Sequence, residues 1–372
     1  MDTFNFEQPK RQGIDLVSQD RYDAYVVDED LRKLTNEIST RILVMGCGGG
    51  GNNAISRLMN EGIQGAITVA VNTDAQQLYI TKAHKKVLIG RTLTRGRGAG
   101  DQPQIGKAAA QENEDALKEV LEGADMVFVT CGLGGGTGSG AAPVIAELAK
   151  ETGALTVSVC TLPFRVEGPT RNKNAFEGLK GLQENSDTVI VVPNEKLLEV
   201  APDLGLAEAF RVADEILIRS VKGITELMNI PQLMNLDLAD VKKVLEDGSF
   251  ALIGLGESDS NNGRVQEAVM DALDHPLLDS VDIHCAKRAL VEVSGGVDLT
   301  LREAKEAVQL VRERISADPE LEIIWGSAIY PELNDVVRVI VLLNDVWSPY
   351  ILGPEENNLT INIKDLGLET FE

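Results

Sequence analysis

The ten residues Cys131–Gly140 read CGLGGGTGSG and lie between an apolar run, MVFVT, and a stretch with a helical pattern, AAPVIAELAK. A run this rich in glycine is either a flexible linker or a loop that binds an anion. The strand and helix patterns that flank it closely argue against a linker. Glycines let successive backbone N–H groups face one concavity, and a helix N-terminus favours negative charge there. Thr137 and Ser139 add hydroxyl donors, and Pro143 suits the first turn of a helix. The stretch therefore predicts an anion-binding loop.

A second glycine loop, GCGGGG, spans residues 46–51 and matches G-x-G-x-x-G. It too lies between strand and helix patterns, and Asp74 stands near the end of the next strand, where a ribose-binding acid is expected. Taken alone, this loop indicates either a dinucleotide fingerprint or glycines that only serve a tight turn. Two such loops on adjacent strands point instead to a triphosphate. Because the chain has no G-x-x-x-x-G-K-[ST] motif, backbone amides, a metal ion and Arg171 are expected to meet the phosphate charge.

The order of apolar patterns predicts the fold class. ILVM, ITVAVN, MVFVT, LTVSVC and TVIVVP are buried-strand candidates separated by helical patterns, which is typical of a parallel sheet covered on both faces. Residues 204–229 then place apolar side chains at three- and four-residue steps, which predicts one amphipathic helix of roughly 36–39 Å. Two later strands follow each other without a helix, so a mixed sheet is expected there. We therefore predict a Rossmann-like α/β domain joined by a long central helix to a smaller α/β domain with a mixed sheet.

The predicted organisation has five parts. They are an N-terminal extension (1–38), a nucleotide-binding domain (39–203), the central helix (204–229), a C-terminal domain (230–346) and a polar tail (347–372). The tail ends in IKDLGLETFE, which resembles a short docking peptide in its placement.

Composition limits the classes of function. The formal net charge of −23 argues against nonspecific binding to nucleic acid or to anionic lipid, because their phosphates would repel the chain. The four cysteines are too widely spaced for a disulfide framework or a zinc site, which favours a reducing compartment. No apolar stretch approaches the ~20 residues that span a bilayer, so direct membrane insertion is not expected.

Several ordered blocks carry a resemblance to a known family. They are GCGGGGNNAI, AVNTDAQQL, TRGRGAG, GLGGGTGSGAAPVIA, PFRVEGPTR, VVPNEKLL, AFRVADEIL and MNLDLADV. The chain from about residue 40 to 346 resembles the FtsZ family of the tubulin/FtsZ superfamily, and most closely its archaeal forms. The resemblance implies the tubulin/FtsZ fold, GTPase activity dependent on assembly, and GTP, GDP and Mg²⁺ as ligands.

The resemblance also implies a set of nucleotide-binding positions. Asn194 and Asp214 match the positions that hold the base, and Phe210 matches the aromatic beside it. A carboxylate at Asp214 can accept hydrogen bonds from guanine N1–H and the 2-amino group, whereas adenine presents an acceptor and would leave it unpaired. The alternative role of Phe210 is core packing, and that of Glu167 and Arg171 is a solvated i,i+4 ion pair. The remaining matching positions are Gly48, Gly49, Gly50, Gly51, Asn53, Asp74 (near the metal), Ala99, Gly100, Gly134, Gly135, Gly136, Thr137, Gly138 and Ser139.

The glycine loops offer no group that could activate a water molecule for hydrolysis. The best carboxylates stand in NLDLAD, where Asp237 and Asp240 are three residues apart and share one helix face, with Asn235 beside them. Capping of a helix by Asn235 or Asp237 is the alternative. The long helix separates these acids from the base-binding end, so the simplest geometry has them complete the pocket of the next subunit. In the FtsZ family the site is built in that way.

A head-to-tail site of this kind gives open filaments. The resemblance implies self-assembly into the cell-division ring at mid-cell in the cytoplasm, with division-ring and membrane-tethering proteins as partners, in part through the tail. Three alternatives stay open at this point: a tubulin-like paralogue that controls cell shape, a polymer that binds GTP without hydrolysing it, and an NAD-dependent oxidoreductase. Two positions depart from the common pattern, since Ser139 replaces a threonine and Arg97 replaces an apolar residue.

Overall fold

The computed structural model describes residues 40–196, 206–229, 234, 236–246, 249–260, 262–275, 278, 283–315 and 321–346. Within these ranges, the side chains at 206–210, 213, 214, 216 and 249 are not described. The predicted N-terminal extension and C-terminal tail lie outside the described residues.

The elements alternate as the sequence pattern predicts. The strands are β1 (Ile42–Cys47), β2 (Ala66–Asn72), β3 (Lys85–Leu88), β4 (Met126–Gly132), β5 (Leu155–Leu162), β6 (Thr188–Pro193), β7 (Ser249–Ser258), β8 (Arg288–Gly295), β9 (Glu322–Ile329) and β10 (Val337–Asn344). The α-helices are α1 (Gly48–Asn60), α2 (Ala75–Ile80), α3 (Arg91–Thr94), α4 (Pro103–Glu112), α5 (Glu114–Leu121), α6 (Gly136–Glu151), α7 (Pro169–Asn185), α8 (Leu206–Asn229), α9 (Leu238–Leu245), α10 (Arg264–Leu273) and α11 (Leu301–Ile315).

The strands form one ten-stranded sheet in the order β3-β2-β1-β4-β5-β6-β7-β10-β8-β9. The first seven strands in this order pair in parallel, whereas β10 runs antiparallel to both of its neighbours and β8 pairs in parallel with β9. The fold class is therefore confirmed, with parallel and mixed parts as expected. The two parts share one continuous sheet because β6 and β7 pair over three residues, Thr188 to Ile190. The domain boundaries stay a prediction.

Two local expectations differ from the structure. The short strand β3, KKVL, was not expected, because its first two residues are exposed lysines and only its last two are partly buried. Pro143 does not lie in a first turn, since α6 starts seven positions earlier at Gly136. The second half of the glycine run is thus itself helical.

Two apolar layers cover the sheet. One layer packs α4, α5, α6, α7, α10 and α11 on one face, and the other packs α1, α8 and α9 on the opposite face. Buried side chains of α8, such as Leu217 and Ile224, belong to the same cluster as Phe128 of β4 and Ile340 of β10. Burying a side chain of this size contributes roughly 1.5–3 kcal/mol. The central helix is thereby held against both the parallel and the mixed parts of the sheet.

Buried carboxyl groups lie where α8 faces the mixed part of the sheet. Glu226 of α8 and Glu292 of β8 are 3% and 4% exposed and line a cavity of about 180 Å³. The hydroxyl of Tyr330 donates a 2.8 Å hydrogen bond to Glu226. Gly223 leaves room for this carboxylate, because a Cβ at that position would lie 2.4 Å from Oε2 of Glu292. Burial raises the pKa of Glu292 to about 7, opposed by the charges of Arg338 and Lys222 and reinforced by that of Glu226.

This raised pKa makes stability depend on pH. A carboxyl whose folded-state pKa lies above its unfolded value contributes stability that is present at low pH and lost as the pH rises through the folded value, here about 7. We therefore expect Glu292→Gln, which cannot ionise, to be more stable than the wild type by up to roughly 3 kcal/mol above pH 8. The gap should shrink toward pH 5. Urea unfolding at pH 5.5 and 8.5 measures it, and an equal gap at both values would contradict the assignment.

Candidate functional site

The two glycine loops meet at one point on the edge of the sheet. The six parallel strands from β3 to β6 follow the order 3-2-1-4-5-6, in which the direction of winding reverses between β1 and β4. In open α/β sheets ligands bind at this switch point, beyond the carboxyl ends of the strands. β1 and β4 are paired in register up to Cys47 and Cys131, and each glycine loop follows directly. Both predicted loops are therefore brought to the place where this fold binds ligands.

Both loops turn straight into helices whose N-termini lack a side-chain cap. α1 begins at Gly48 and α6 at Gly136, and neither has a capping side chain or an acidic residue in its first turn. Gly48–Gly51 and Gly136–Ser139 thus form first helical turns. The first N–H groups of a helix have no acceptor within the helix, and the helix dipole makes that end positive. These two starts offer backbone donors to an anion, as the sequence predicts.

Backbone packing explains why side chains are absent from the loops. A Cβ on Gly48 would lie 2.8 Å from the amide nitrogen of Gly138, and one on Gly136 would lie 2.2 Å from the carbonyl oxygen of Gly100. That same oxygen accepts a 2.8 Å hydrogen bond from the Gly136 N–H. Gly135 differs, since a Cβ there would meet nothing within 4 Å. The glycines around Gly135 make the close approach possible, and Gly135 itself borders open space.

The two hydroxyl groups of the second loop hold its shape. Thr137 Oγ1 lies 2.7 Å from Thr73 Oγ1, which joins α6 to the loop after β2. Ser139 Oγ accepts a 2.8 Å hydrogen bond from the backbone N–H of Gly134, whose φ of 107° suits glycine. The sequence predicts Thr137 and Ser139 as donors to the anion. In the structure both take part in the internal bonding of the loop.

The loop of residues 95–100 closes one side of the site. The N–H of Gly98 donates to Thr73 O at 3.2 Å, and the N–H of Ala75 donates to Gly96 O at 3.0 Å. Ala99 is buried, at 4% exposure, whereas Gly100 is exposed. Together with the bond from Gly100 to Gly136, these contacts place the loops after β2, β3 and β4 side by side.

Asn174 is a site residue that the sequence analysis missed. Its buried amide Nδ2 donates to Asp101 O at 3.0 Å and to Gly134 O at 3.1 Å, and so bridges two loops. It lies one turn beyond Arg171 on α7, so the spacing of three residues could have pointed to it.

Glu167 and Arg171 form the i,i+4 ion pair that their spacing allows. The Arg171 guanidinium donates to Glu167 Oε2 at 2.6 Å and lies 3.6 Å from Asp101, and the Glu167 carboxylate raises the pKa of Arg171. The other oxygen of Glu167 accepts from the N–H of Phe164 at 2.9 Å. The carbonyl of Arg171 lies 3.2 Å from where a Cβ of Gly134 would be. Arg171 thus borders the second glycine loop through its backbone and Cβ, and its guanidinium lies between Glu167 and Asp101.

Asp74 acts as a helix cap. Its Oδ1 accepts hydrogen bonds from the N–H groups of Gln76 and Gln77 at 2.9 and 3.0 Å, which begins α2. The described residues contain no group of three or more acidic, histidine or cysteine side chains that could hold a metal ion. Asp74 is therefore a single carboxylate near the loops and does not form a metal site by itself.

Buried amides lie on elements that carry predicted nucleotide-binding residues. Asn194, just after β6, is 3% exposed, and its Oδ1 has no hydrogen-bond partner. Asn52 of α1 is fully buried with both amide atoms unpartnered, whereas Asn53 is exposed. Buried polar atoms in proteins nearly always have a partner, so these orphans fit a polar ligand. Phe210 and Asp214 lie on α8, but their side chains are outside the described residues.

The thiols beneath the loops are neutral. Cys47, Cys131 and Cys160 stand in register on β1, β4 and β5 and are fully buried. Burial raises all three pKa values, that of Cys131 to about 12. No negative charge arises there at neutral pH to repel an anion above them.

The predicted catalytic acids lie at the opposite edge of the sheet. Asp237 is the N-cap of α9 and accepts a 2.8 Å hydrogen bond from the N–H of Asp240 in the first turn, so the capping role is confirmed for Asp237. Asn229, the last residue of α8, donates side-chain hydrogen bonds to Thr40 O and Gly65 O at 2.9 and 2.6 Å. These oxygens precede β1 and β2, at the amino ends of the strands. Asn235 lies outside the described residues.

One chain therefore does not bring its acids to its own glycine loops. The loops follow the carboxyl ends of the strands, and the acids follow the end of α8 at the amino ends. The 24 residues of α8 correspond to about 36 Å.

Two family models match the chain. The model of the GTPase domain of the Tubulin/FtsZ family matches residues 41–202, and that of the C-terminal domain of the FtsZ family matches residues 249–347. Among curated proteins, the Cell division protein FtsZ 1 of Thermococcus kodakarensis is 55% identical over 330 residues, which are 89% of this chain and 87% of that protein.

Solved structures give the same picture. An FtsZ dimer from M. jannaschii, solved empty, is 53% identical, with a TM-score of 0.80 and coverage of 86% of this chain and 92% of that one. CetZ2 from Haloferax volcanii, solved as a GTPγS-bound protofilament, is 24% identical, with a TM-score of 0.69 and coverage of 83% and 94%. The CetZ2 likeness shows the shared fold.

Neighbouring glycines give a test of the anion cradle. Gly135→Val keeps an allowed extended backbone (φ −86°, ψ 179°) and fills open space, so we expect GTP affinity to fall about tenfold or more with the unfolding temperature little changed. Gly136→Ala drives a Cβ into the Gly100 carbonyl and should lower stability by about 1–3 kcal/mol. Nucleotide titration and thermal unfolding of both variants measure this. Normal GTP binding by Gly135→Val would contradict the cradle.

Proposed function

The chain belongs to the tubulin/FtsZ family, within its FtsZ branch, and from that premise we propose that it is the cell-division GTPase of its cell. Its subunits assemble head to tail, GTP lies between them, and the acidic loop of one subunit completes the nucleotide site of the next. The observation that carries this proposal is the placement of the glycine loops and of Asp237 and Asp240 at opposite edges of one sheet.

GTP fits the carboxyl-edge site on three counts. Two uncapped helix starts supply N–H donors for the phosphates, and Arg171 supplies a cation beside them. The space next to Gly135 is open to a ligand, since a Cβ at that position would meet no atom within 4 Å. The unpartnered amides of Asn52 and Asn194 suit the polar edge of a base, with Asp214 giving selectivity for guanine. We assign the nucleotide contact of α1 to the buried Asn52 rather than to the exposed Asn53.

Mg²⁺ in this proposal depends on the nucleotide. Magnesium is commonly bound by one or two carboxylates together with substrate phosphates. Asp74 would supply one carboxylate, and phosphate oxygens of the nucleotide would supply other ligands. The ion would neutralise phosphate charge alongside the backbone amides and Arg171.

Asp237 and Asp240 are the proposed catalytic residues, with Asn235 next to them. Asp237 fixes the first turn of α9 by accepting the N–H of Asp240, and the Asp240 carboxylate is 38% exposed and lies 3.9 Å from Nζ of Lys243. An exposed carboxylate at a helix start can accept a proton from a water molecule held against the neighbour's terminal phosphate. Residues of the two edges thereby meet only when subunits stack.

The rival functions are less well supported. The oxidoreductase rested on the first glycine loop alone, and family membership contradicts it. A tubulin-like paralogue that controls cell shape is less well supported, because the chain is 55% identical to an FtsZ 1 protein over most of its length. A polymer that does not hydrolyse GTP is disfavoured by the two intact acids.

Partners and location follow from the proposed role. We propose that the filament works in the cytoplasm at the mid-cell ring, and that residues 347–372 dock division-ring or membrane-tethering proteins. In the described part of the chain, every helix is too short or too polar to cross a membrane. A tether on a partner is consistent with that finding.

Mixing two inactive variants tests the shared site. Asp240→Ala keeps the nucleotide pocket and loses the acid, whereas Gly135→Val keeps the acid and loses the pocket. Each should hydrolyse GTP slowly alone, and a mixture should recover activity because some interfaces join an intact pocket to an intact acid. Phosphate release at a fixed total protein concentration measures this. A mixture no faster than the mean of its parts would contradict the shared site.

A further inference from the structure

Helix α9 carries the acids at its N-terminal end, and side chains from three different strands bind its C-terminal end. We call this set of hydrogen bonds the grip. The carbonyl groups of the last three residues of α9, 243–245, and of its C-cap, Glu246, all accept side-chain hydrogen bonds. Arg288 of β8 donates to the carbonyls of Lys243 and Glu246 at 2.9 and 3.0 Å. Asn344 of β10 donates to Val244 O, and Thr188 of β6 donates to Leu245 O.

These bonds satisfy the groups that a helix cannot satisfy itself. The last four C=O groups of an α-helix have no partner within it, and a cation is favoured beside them by the helix dipole. α9 has eight residues, and isolated helices shorter than about 12–15 residues are marginal in water. Its position is therefore set by these contacts and by its buried side chains Val241, Val244 and Leu245.

Arg288 is the central residue of the grip, because its guanidinium binds the carboxylate of Asp345 on one side and two carbonyl groups at the end of α9 on the other. Its Nε and Nη2 both lie 2.9 Å from Oδ2 of Asp345, while Nη1 reaches the two carbonyls. The side chain is 18% exposed. Only the planar five-donor guanidinium can hold a carboxylate and two carbonyls at once, so lysine is a poor replacement. Asp345 turns back toward Arg288 with a left-handed φ of 62°.

We propose that Arg288, buttressed by Asp345 and assisted by Asn344 and Thr188, is a positioning residue for GTP hydrolysis. It fixes the axis and rotation of α9, and with them the direction in which Asp240 faces the neighbouring subunit. Thr188 belongs to the parallel part of the sheet and Arg288 to the mixed part, so the grip ties α9 to both. This inference rests on the proposed shared site.

The test compares two arginines of similar burial. Arg264 is 16% exposed and binds Asp298 and Glu303, but it holds α10 and α11 rather than α9. Arg288→Gln should lower kcat about ten- to a hundredfold, since small displacements of reacting groups have effects of that size, with KM for GTP within about twofold. Arg264→Gln should keep kcat near the wild-type value. Rates are measured on sedimented polymer at high protein concentration.

Mixing assigns the defect to one half of the site. Arg288→Gln protein should recover activity with Gly135→Val protein, which supplies good acids, and should not recover with Asp240→Ala protein. Thr188→Val, a milder change, should show a smaller kcat loss with the same mixing pattern. The Thr188→Val variant replaces Arg288→Gln in the test if Arg288→Gln does not fold.

The outcomes separate the two proposals. Equal kcat losses in Arg264→Gln and Arg288→Gln, an unchanged kcat in Arg288→Gln, or recovery with Asp240→Ala protein would overturn the positioning role. Failure of Asp240→Ala and Gly135→Val to complement each other would overturn the shared site instead. The kcat values of the two arginine variants test the positioning role of Arg288 in either case.

Discussion

The direction of parallel strands is the constraint on which this molecule depends. Because six neighbouring strands run the same way, every loop that follows a strand lies at one edge and every loop that precedes a strand lies at the other. The glycine loops occupy the first edge. α8 carries the chain across one face of the sheet, over about 36 Å, and delivers the acidic loop to the second edge. Binding and cleavage groups of one chain are thus kept apart by geometry.

The same constraint explains how a chain with a net charge of −23 can hold a triphosphate. The donors are backbone N–H groups at two uncapped helix starts, which carry partial positive charge without basic side chains. The thiols beneath are neutral because they are buried. Close contacts such as that between Gly136 and Gly100 fix the donors before a ligand arrives, which lowers the entropic cost of binding.

Much of this fold could be predicted from the sequence. The strands β1, β2, β4, β5 and β6 are mostly apolar, and the central helix has a clear apolar stripe, so local pattern was sufficient. β3 was missed because its lysines break that pattern, and the start of α6 was misplaced because Pro143 is tolerated inside the helix. The continuity of the sheet through β6 and β7 depends on pairing between distant segments, which local pattern does not show.

The site, like the fold, could be predicted from the sequence only in part. Glycine spacing predicted both loops, and the resemblance named the positions around them. Arg288 was missed because its role comes from carbonyl groups far away in the sequence, which no local pattern marks. Asn174 bonds equally distant carbonyl groups, and the one local signal for it is its spacing of three residues from Arg171. The buried Asn52 and exposed Asn53 are neighbours that only the helix orientation tells apart.

The central claim is that assembly creates the catalyst. It is tested most directly by phosphate release from GTP per subunit over a wide range of protein concentration, with sedimentation of polymer followed in parallel. The account predicts almost no activity below a threshold and a rising rate per subunit above it, at the concentration where polymer appears. A rate per subunit that stays constant down to concentrations at which the protein is monomeric would contradict it.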